Sequence, residues 1–148
     1  MPVIIVENDL SRWDDQTGAV YHFPKRYKTL LVQGTEVIYY KGRIKDKAFT
    51  SARLSDAPHY FGKARIGKVY PDSKSDKGDL YAFIESFTPF ESPVLSKNDG
   101  VYLETIPANR TKNYWRDGVR PISQADYDAI MSYAKLSPLQ DEGKRPAN

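Results

Sequence analysis

Four stretches of the chain place aromatic rings beside cations. These are Tyr21 to Tyr27 with Lys25 and Arg26, Tyr39 and Tyr40 with Lys41 and Arg43, Tyr60 and Phe61 with Lys63 and Arg65, and Tyr114 and Trp115 with Lys112 and Arg116. Aromatic faces stack on bases while Lys and Arg meet phosphates, the pairing expected of single-strand or flipped-base binding. The same residues also suit a core filled by tyrosines, with hydroxyls at its rim and the cations solvated. The chain has eleven tyrosines in 148 residues, and repetition in four places shifts the balance toward a binding surface.

Other chemistries find little to stand on. The chain has no cysteine and two histidines, His22 and His59, so disulfides, thiolate metal sites and a cysteine nucleophile are excluded. Neither histidine has the local setting of a serine triad, and His59 in APHYFGK reads as a strand-edge residue. Asp14 and Asp15 are adjacent carboxylates in a polar, glycine-containing loop, the setting of solvated turn residues and not of a converging acid and base. No GxxxxGK or GxGxxG phosphate loop occurs. The expectation is a binding module, not an enzyme, with no metal and no cofactor.

A net charge of +3, with 40% hydrophobic and 28% charged residues, is that of an ordinary soluble protein with a mild basic bias. No apolar run approaches the roughly 20 residues of a membrane helix, and VIIV near the start is too short for a signal peptide. A cytoplasmic protein with no membrane partner is expected.

The elements that must position the aromatic clusters follow from periodicity. Val3 to Val6 reads as a buried strand. Pro24 suits the first turn of a helix over 24–33 that stops at Gly34, with Tyr27, Leu30 and Leu31 on one side. TEVIYYKGRI is the strongest strand, with Val37 and Tyr39 on one face and Ile38 and Tyr40 on the other, so it is expected to be central. Residues 41–58 read as a long loop or frayed hairpin. HYFGKARIGKVYPD and DLYAFIESFTPF return to strand, followed by shorter candidates in PVL and GVYLETI. A last helix over 123–135 starts at a capping-box-like Ser123 and carries the stripe Tyr127, Ile130 and Ala134. Strands running consecutively without helical crossovers predict an α+β, mainly β fold: a curled sheet or small β-barrel over residues 1–136, followed by a polar tail at 137–148.

Taken in order, several motifs resemble the EVE domains of the PUA-like superfamily. They are Trp13-Asp14-Asp15-Gln16, Gly18, Gly34, Tyr39-Tyr40 and Tyr70-Pro71-Asp72. The Tyr21-His22-Phe23-Pro24 motif and the Val119-Arg120-Pro121-Ile122-Ser123 ending look closer still to the EVE-like modules found N-terminal to HNH nucleases that restrict modified DNA. The resemblance spans residues 10–134 and departs from the pattern at Thr35, where an Asp is usual. No HNH motif is present.

The resemblance implies a PUA-like barrel that reads DNA by holding a flipped, modified base such as 5-methyl- or 5-hydroxymethylcytosine, in partnership with an effector such as an HNH nuclease. Its pocket would open between the first helix and the barrel. On this basis Tyr21, His22, Phe23, Tyr39, Tyr40 and Trp115 are expected to wall the base. Lys25, Arg26, Lys63, Arg65, Arg116 and Arg120 are expected to hold phosphates. Two alternatives stay open: an RNA-binding PUA-like module, and a protein or metabolite interaction domain with no nucleic-acid role.

Overall fold

A computed structural model describes residues 1–9 and 15–136. Trp13 and Asp14 of the acidic motif and the expected tail at 137–148 lie outside the described residues. The fold is α+β and mainly β, built on a strongly curled, half-barrel sheet of six strands. In chain order the strands are β1 (Val3–Val6), β2 (Val20–Phe23), β3 (Glu36–Lys41), β4 (His59–Pro71), β5 (Leu80–Leu95), β6 (Lys97–Asn98), β7 (Val101–Tyr102) and β8 (Val119–Pro121), followed by helix α1 (Gln124–Tyr133). The sheet order is β2-β5-β4-β3-β1-β8, and β6 and β7 pair separately. Among the described strands, only the β1–β3 pairing is parallel.

Alternation along β3 divides the interior in two. Val37 and Tyr39 enter a core to which every strand of the six-stranded sheet contributes, so it fills the concave side of the curl. Ile38 and Tyr40 enter a second core on the opposite face, which α1 covers through Ile130 with Tyr127, Met131 and Ala134 beside it. A strand buried on both faces must be apolar at successive positions, which is why VIYY carries no polar residue. The Ser123 hydroxyl accepts from the Asp126 N–H at 3.1 Å and caps α1 as its sequence predicts.

The helix expected over 24–33 is not formed. The structure has a single 3-10 turn, Lys25–Tyr27, followed by hydrogen-bonded turns in which the Leu30 and Leu31 N–H groups both reach the Tyr27 carbonyl. A segment this short gains little from helix propagation. The chain is instead recaptured by the sheet, because Gly34, at φ +95°, donates its N–H to the Ile66 carbonyl at 2.7 Å. The 41–58 segment is a loop, as expected, containing a 3-10 helix at Lys47–Ala52 that Asp46 caps by accepting from the Ala48 N–H.

The curl depends on irregular pairing. Tyr39 pairs with Gly62 and Tyr40 with Tyr60, so Phe61 is bulged out of β4. On β5, Ser86 and Phe87 together oppose the single residue Ala64 between the pairs Arg65↔Glu85 and Lys63↔Thr88, so β5 carries one extra residue there. Ser86 sits at φ +56°, a left-handed conformation that bends the strand and turns Phe87 inward. Phe87 then lies between two glycines: a Cβ on Gly62 would come within 2.7 Å of its Cε1, and one on Gly18 within 2.8 Å of its Cδ2. The sheet is not closed by a backbone ladder between β2 and β8. Its open side is spanned by Tyr21, whose hydroxyl reaches the Val6 carbonyl at 3.0 Å and the Gly118 carbonyl at 3.2 Å.

Gly62→Ala is expected to force Phe87 out of its slot and destabilise the fold by about 1–3 kcal/mol, the usual cost of overpacking a core. A lowered urea midpoint with an unchanged m-value would show it; an unchanged midpoint would mean that Phe87 moves freely.

Candidate functional site

A cavity of about 570 Å3 opens beside the end of β3. One wall is aromatic. Tyr40 and Trp115 are stacked, with centroids 5.8 Å apart, and Tyr102 tilts against Trp115 at 5.1 Å. Three separate devices bring these rings together. Tyr40 closes the apolar run of β3, and Trp115 rides on the 3-10 turn Tyr114–Arg116. Tyr102 is carried by the β6–β7 hairpin, whose two-residue loop Asp99-Gly100 has both residues at positive φ, as a type I′ turn requires.

The aromatic wall is backed by a buried ion pair. Arg120 is 1% exposed, and its Nε and Nη2 each donate at 2.8 Å to the two oxygens of Glu104. The Tyr60 and Tyr114 hydroxyls donate to the same carboxylate at 2.6 and 2.8 Å. Burial and the Glu104 charge both raise the pKa of these two phenols, so they stay protonated and donate. Burial opposes the charge on Arg120, but the hydrogen bonds and charge of Glu104 outweigh it and hold its pKa above the ordinary value. The guanidinium lies 4.6 Å from the Tyr40 centroid and 4.8 Å from that of Trp115, fixing both rings from behind.

The opposite wall comes from the 41–58 loop: Arg43, Lys45, Asp46, Phe49 and Arg53. Asp9 pins this loop, accepting from Arg53 Nη1 at 2.7 Å and pairing with Lys41 Nζ at 3.2 Å. Arg53 also donates to the carbonyls of Gly42 and Ser55. Burial raises the Asp9 pKa, but hydrogen bonds from Arg53 and Lys41 and their charges more than offset this, leaving it below the usual value. Arg43 and Lys45 are exposed and make no ion pair among the described residues.

Of the residues expected to wall a base, Tyr40 and Trp115 do line the cavity. Tyr21, Phe23 and Tyr39 instead belong to the concave core, with Tyr39 Oη accepting from the Gly18 N–H at 3.1 Å. His22 lies on the opposite face of β2, where it stacks on Tyr81 at 4.2 Å and its Nε2 meets Asp72 at 2.9 Å. The YHFPKRY segment therefore borders no part of this cavity, which opens beneath the 41–58 loop and not beside Pro24, where the opening was expected.

Among the expected phosphate ligands, Arg120 is corrected to a structural role, because Glu104 and three aromatic rings consume it. Arg65 pairs with Glu36 at 2.7 Å on the sheet face that α1 covers, and Lys63 lies on that same face. Lys25 packs its stem over Gly78, and Arg26 lies over the Tyr27 ring. Arg116 remains exposed, next to Trp115 in the same turn. Sequence reading missed Asp9, Phe49, Arg53 and Tyr102 in the cavity; for Lys41 and Arg43, adjacency to Tyr40 was the available signal.

No group of His, Asp or Glu side chains that could hold a metal ion occurs among the described residues, and none of the described helices is long and apolar enough to cross a membrane. No protein-family model matches the chain, and no curated protein sequence does.

Two outcomes follow from the buried groups. Glu104→Ala leaves Arg120 buried without its partner and is expected to cost about 3–5 kcal/mol in urea unfolding. The paired replacement Glu104→Leu with Arg120→Met should recover part of that loss, but not the share arising from the stranded Tyr60 and Tyr114 hydroxyls. His59, fully buried, donates from Nδ1 to the Ala57 carbonyl at 2.7 Å, and burial lowers its pKa despite that bond. The unfolded imidazole therefore takes up a proton first. Stability present above pH ~6.5 should fall as the pH drops below it, by at most about 1.4 kcal/mol per pH unit, until the folded imidazole also protonates. Subtracting the profile of His59→Gln from that of the wild type isolates this slope, and parallel profiles would refute it.

Proposed function

We propose that this chain is a nucleic-acid reader that holds a flipped, modified base of DNA in the cavity walled by Tyr40, Tyr102 and Trp115. The observation that carries the reading is the stacked Tyr40–Trp115 pair lining a cavity of about 570 Å3, across which stand the exposed cations Arg43 and Lys45. Aromatic faces give a flat base a stacking partner, and cations at the lip meet the backbone that delivers it. Arg116, one residue from Trp115, adds a third exposed cation to that side. The Arg120 guanidinium behind the rings supports the reading further, since a stacking wall discriminates between bases only if it does not yield.

The curled, mainly β sheet is compatible with a PUA-like fold, and the ordered motifs that resemble EVE domains favour a base modified at the 5-position, such as 5-methyl- or 5-hydroxymethylcytosine. Cleavage, where it accompanies recognition, falls to a separate effector such as an HNH nuclease. The chain itself acts by binding, with no cofactor and no catalytic residue.

The test is a titration of duplexes identical except for one modified cytosine, at several salt concentrations, beside a matched RNA. Trp115→Ala and Tyr40→Ala should erase the preference for the modified duplex, each losing about 1–3 kcal/mol of binding, with Trp115→Phe retaining most of it. Arg43→Ala and Lys45→Ala should weaken modified and plain DNA alike and reduce the salt slope by about one each. Equal affinity for modified and plain duplexes at every salt concentration would overturn the reading, and tighter binding of the RNA would redirect it.

A further inference from the structure

A smaller cavity of about 380 Å3 lies on the other side of the Lys41–Asp9–Arg53 cluster, and Lys41 and Arg53 are the lining residues it shares with the larger one. We propose that it is a second binding site, for a neutral planar heterocycle that presents N–H donors along one edge, a 2-aminopurine-type base such as guanine being the simplest form.

Two buried polar atoms carry this inference. Glu7 Oε2 and His59 Nε2 have no hydrogen-bond partner among the described residues, on side chains that are 8% and 0% exposed, and both residues line the cavity. Buried polar atoms are nearly always satisfied, so two orphans in one cavity define what must enter it.

Both atoms accept. The Thr17 hydroxyl donates to Glu7 Oε1, and Oε2 receives no donor among the described residues. An imidazole nitrogen facing a carbonyl must carry the proton, so His59 Nδ1 donates to Ala57 and Nε2 keeps its lone pair. Burial holds His59 in that neutral form.

Charge selects among donors. Lys41 and Arg53 line the same cavity, offset by Asp9 and Glu7, so the lining and its pinning carboxylate sum to zero. An ammonium or amidinium ligand would add an uncompensated positive charge beside two cations, and an anion would meet two acceptors with no free donor. A neutral donor edge suffers neither penalty.

Shape completes the assignment. Phe61, Phe87 and Phe90 line the space, and the first two sit on the bulges of β4 and β5. A bulge aims a side chain where regular pairing would not, and here both bulges supply flat apolar walls to one cavity. The proposal does not depend on the larger cavity, whose aromatic wall lies elsewhere.

The decisive experiment is a 1H–15N titration of the uniformly labelled chain with guanosine, then with inosine, which lacks the 2-amino group, and 1-methylguanosine, which lacks the N1–H. Guanosine should give saturable shifts at the Gly62 amide and the His59 ring, and each analogue should bind roughly tenfold or more weakly because it leaves an acceptor unpaired. Glu7→Gln should weaken guanosine by a similar factor. If that variant loses its dispersed spectrum, His59→Phe serves in its place. A parallel titration with a DNA duplex carrying one bulged guanine separates the two sources: free nucleoside or extruded base, whichever binds tighter through the same signals. Absence of saturable shifts would assign the acceptors to ordered water. Equal affinity for guanosine and 1-methylguanosine, or shifts confined to Tyr102 and Trp115, would equally overturn the proposal.

Discussion

The Arg120–Glu104 pair sets the terms for the rest of the molecule. An unpaired charge in so enclosed a place would be costly, and here every oxygen lone pair directed toward the protein is met: Glu104 accepts twice from Arg120 and once each from Tyr60 and Tyr114. Its strands of origin are far apart in sequence. Tyr60 belongs to β4, Arg120 to β8, and Tyr114 to the 3-10 turn between Glu104 and β8. Satisfying one carboxylate therefore fixes the C-terminal third of the chain against the sheet. The rings that flank the guanidinium, Tyr40 and Trp115, are the rings that face the larger cavity. Stability and site geometry are thus set by the same contact.

Irregularity in the sheet does the complementary work on the other side. A six-stranded sheet with regular pairing would leave β3, β4 and β5 flush. Displacing Phe61 and Phe87 instead opens a pocket beneath the 41–58 loop, and Gly18 and Gly62 supply the room that lets Phe87 pack. The left-handed backbone at Ser86 is tolerated because the inward packing of Phe87 offsets it. Neither cavity would exist without the loop that closes over them, and that loop is held by Arg53, whose three acceptors are Asp9 and the carbonyls of Gly42 and Ser55.

The sheet was legible wherever alternation decides the outcome. VIYY announced a strand buried on both faces, and Ser123 with the Tyr127, Ile130 and Ala134 stripe gave the C-terminal helix. The same period explains the failure at YHF. If the strand alternates and Phe23 faces the core, Tyr21 must face it too and His22 must point away, so the three could never wall one pocket. The helix over 24–33 failed because helix formation competed with the sheet for the Gly34 N–H, a contact 32 residues away that no local pattern reveals. Arg120 misled for a similar reason: in sequence a cation near aromatics suits a phosphate ligand, and only the position of Glu104 shows its charge already consumed. The loop residues of the cavities carry no periodicity at all, since their placement depends on Asp9, which lies more than 40 residues from Arg53.

The two cavities differ in the sign of what they lack. Facing the larger one, Arg43 and Lys45 make no ion pair among the described residues, so the unmet requirement there is negative charge. In the smaller one the unmet atoms are acceptors, so the requirement is for hydrogen donors. The wall between them holds Lys41 and Arg53, and Asp9 bonds both. Because Asp9 neutralises cations that face both spaces, loosening it would free positive charge on the two sides at once and release the loop that roofs them. A ligand that drew Lys41 or Arg53 away from Asp9 in one cavity would therefore alter the other through a shared side chain, with no need for the sheet to move. Arg53 is nearly fully buried and held by three acceptors, whereas Lys41 has Asp9 and the Glu7 carbonyl. Lys41 is the partner that yields first, and it lies over the Phe61 ring of the smaller cavity and at the foot of Tyr40 in the larger.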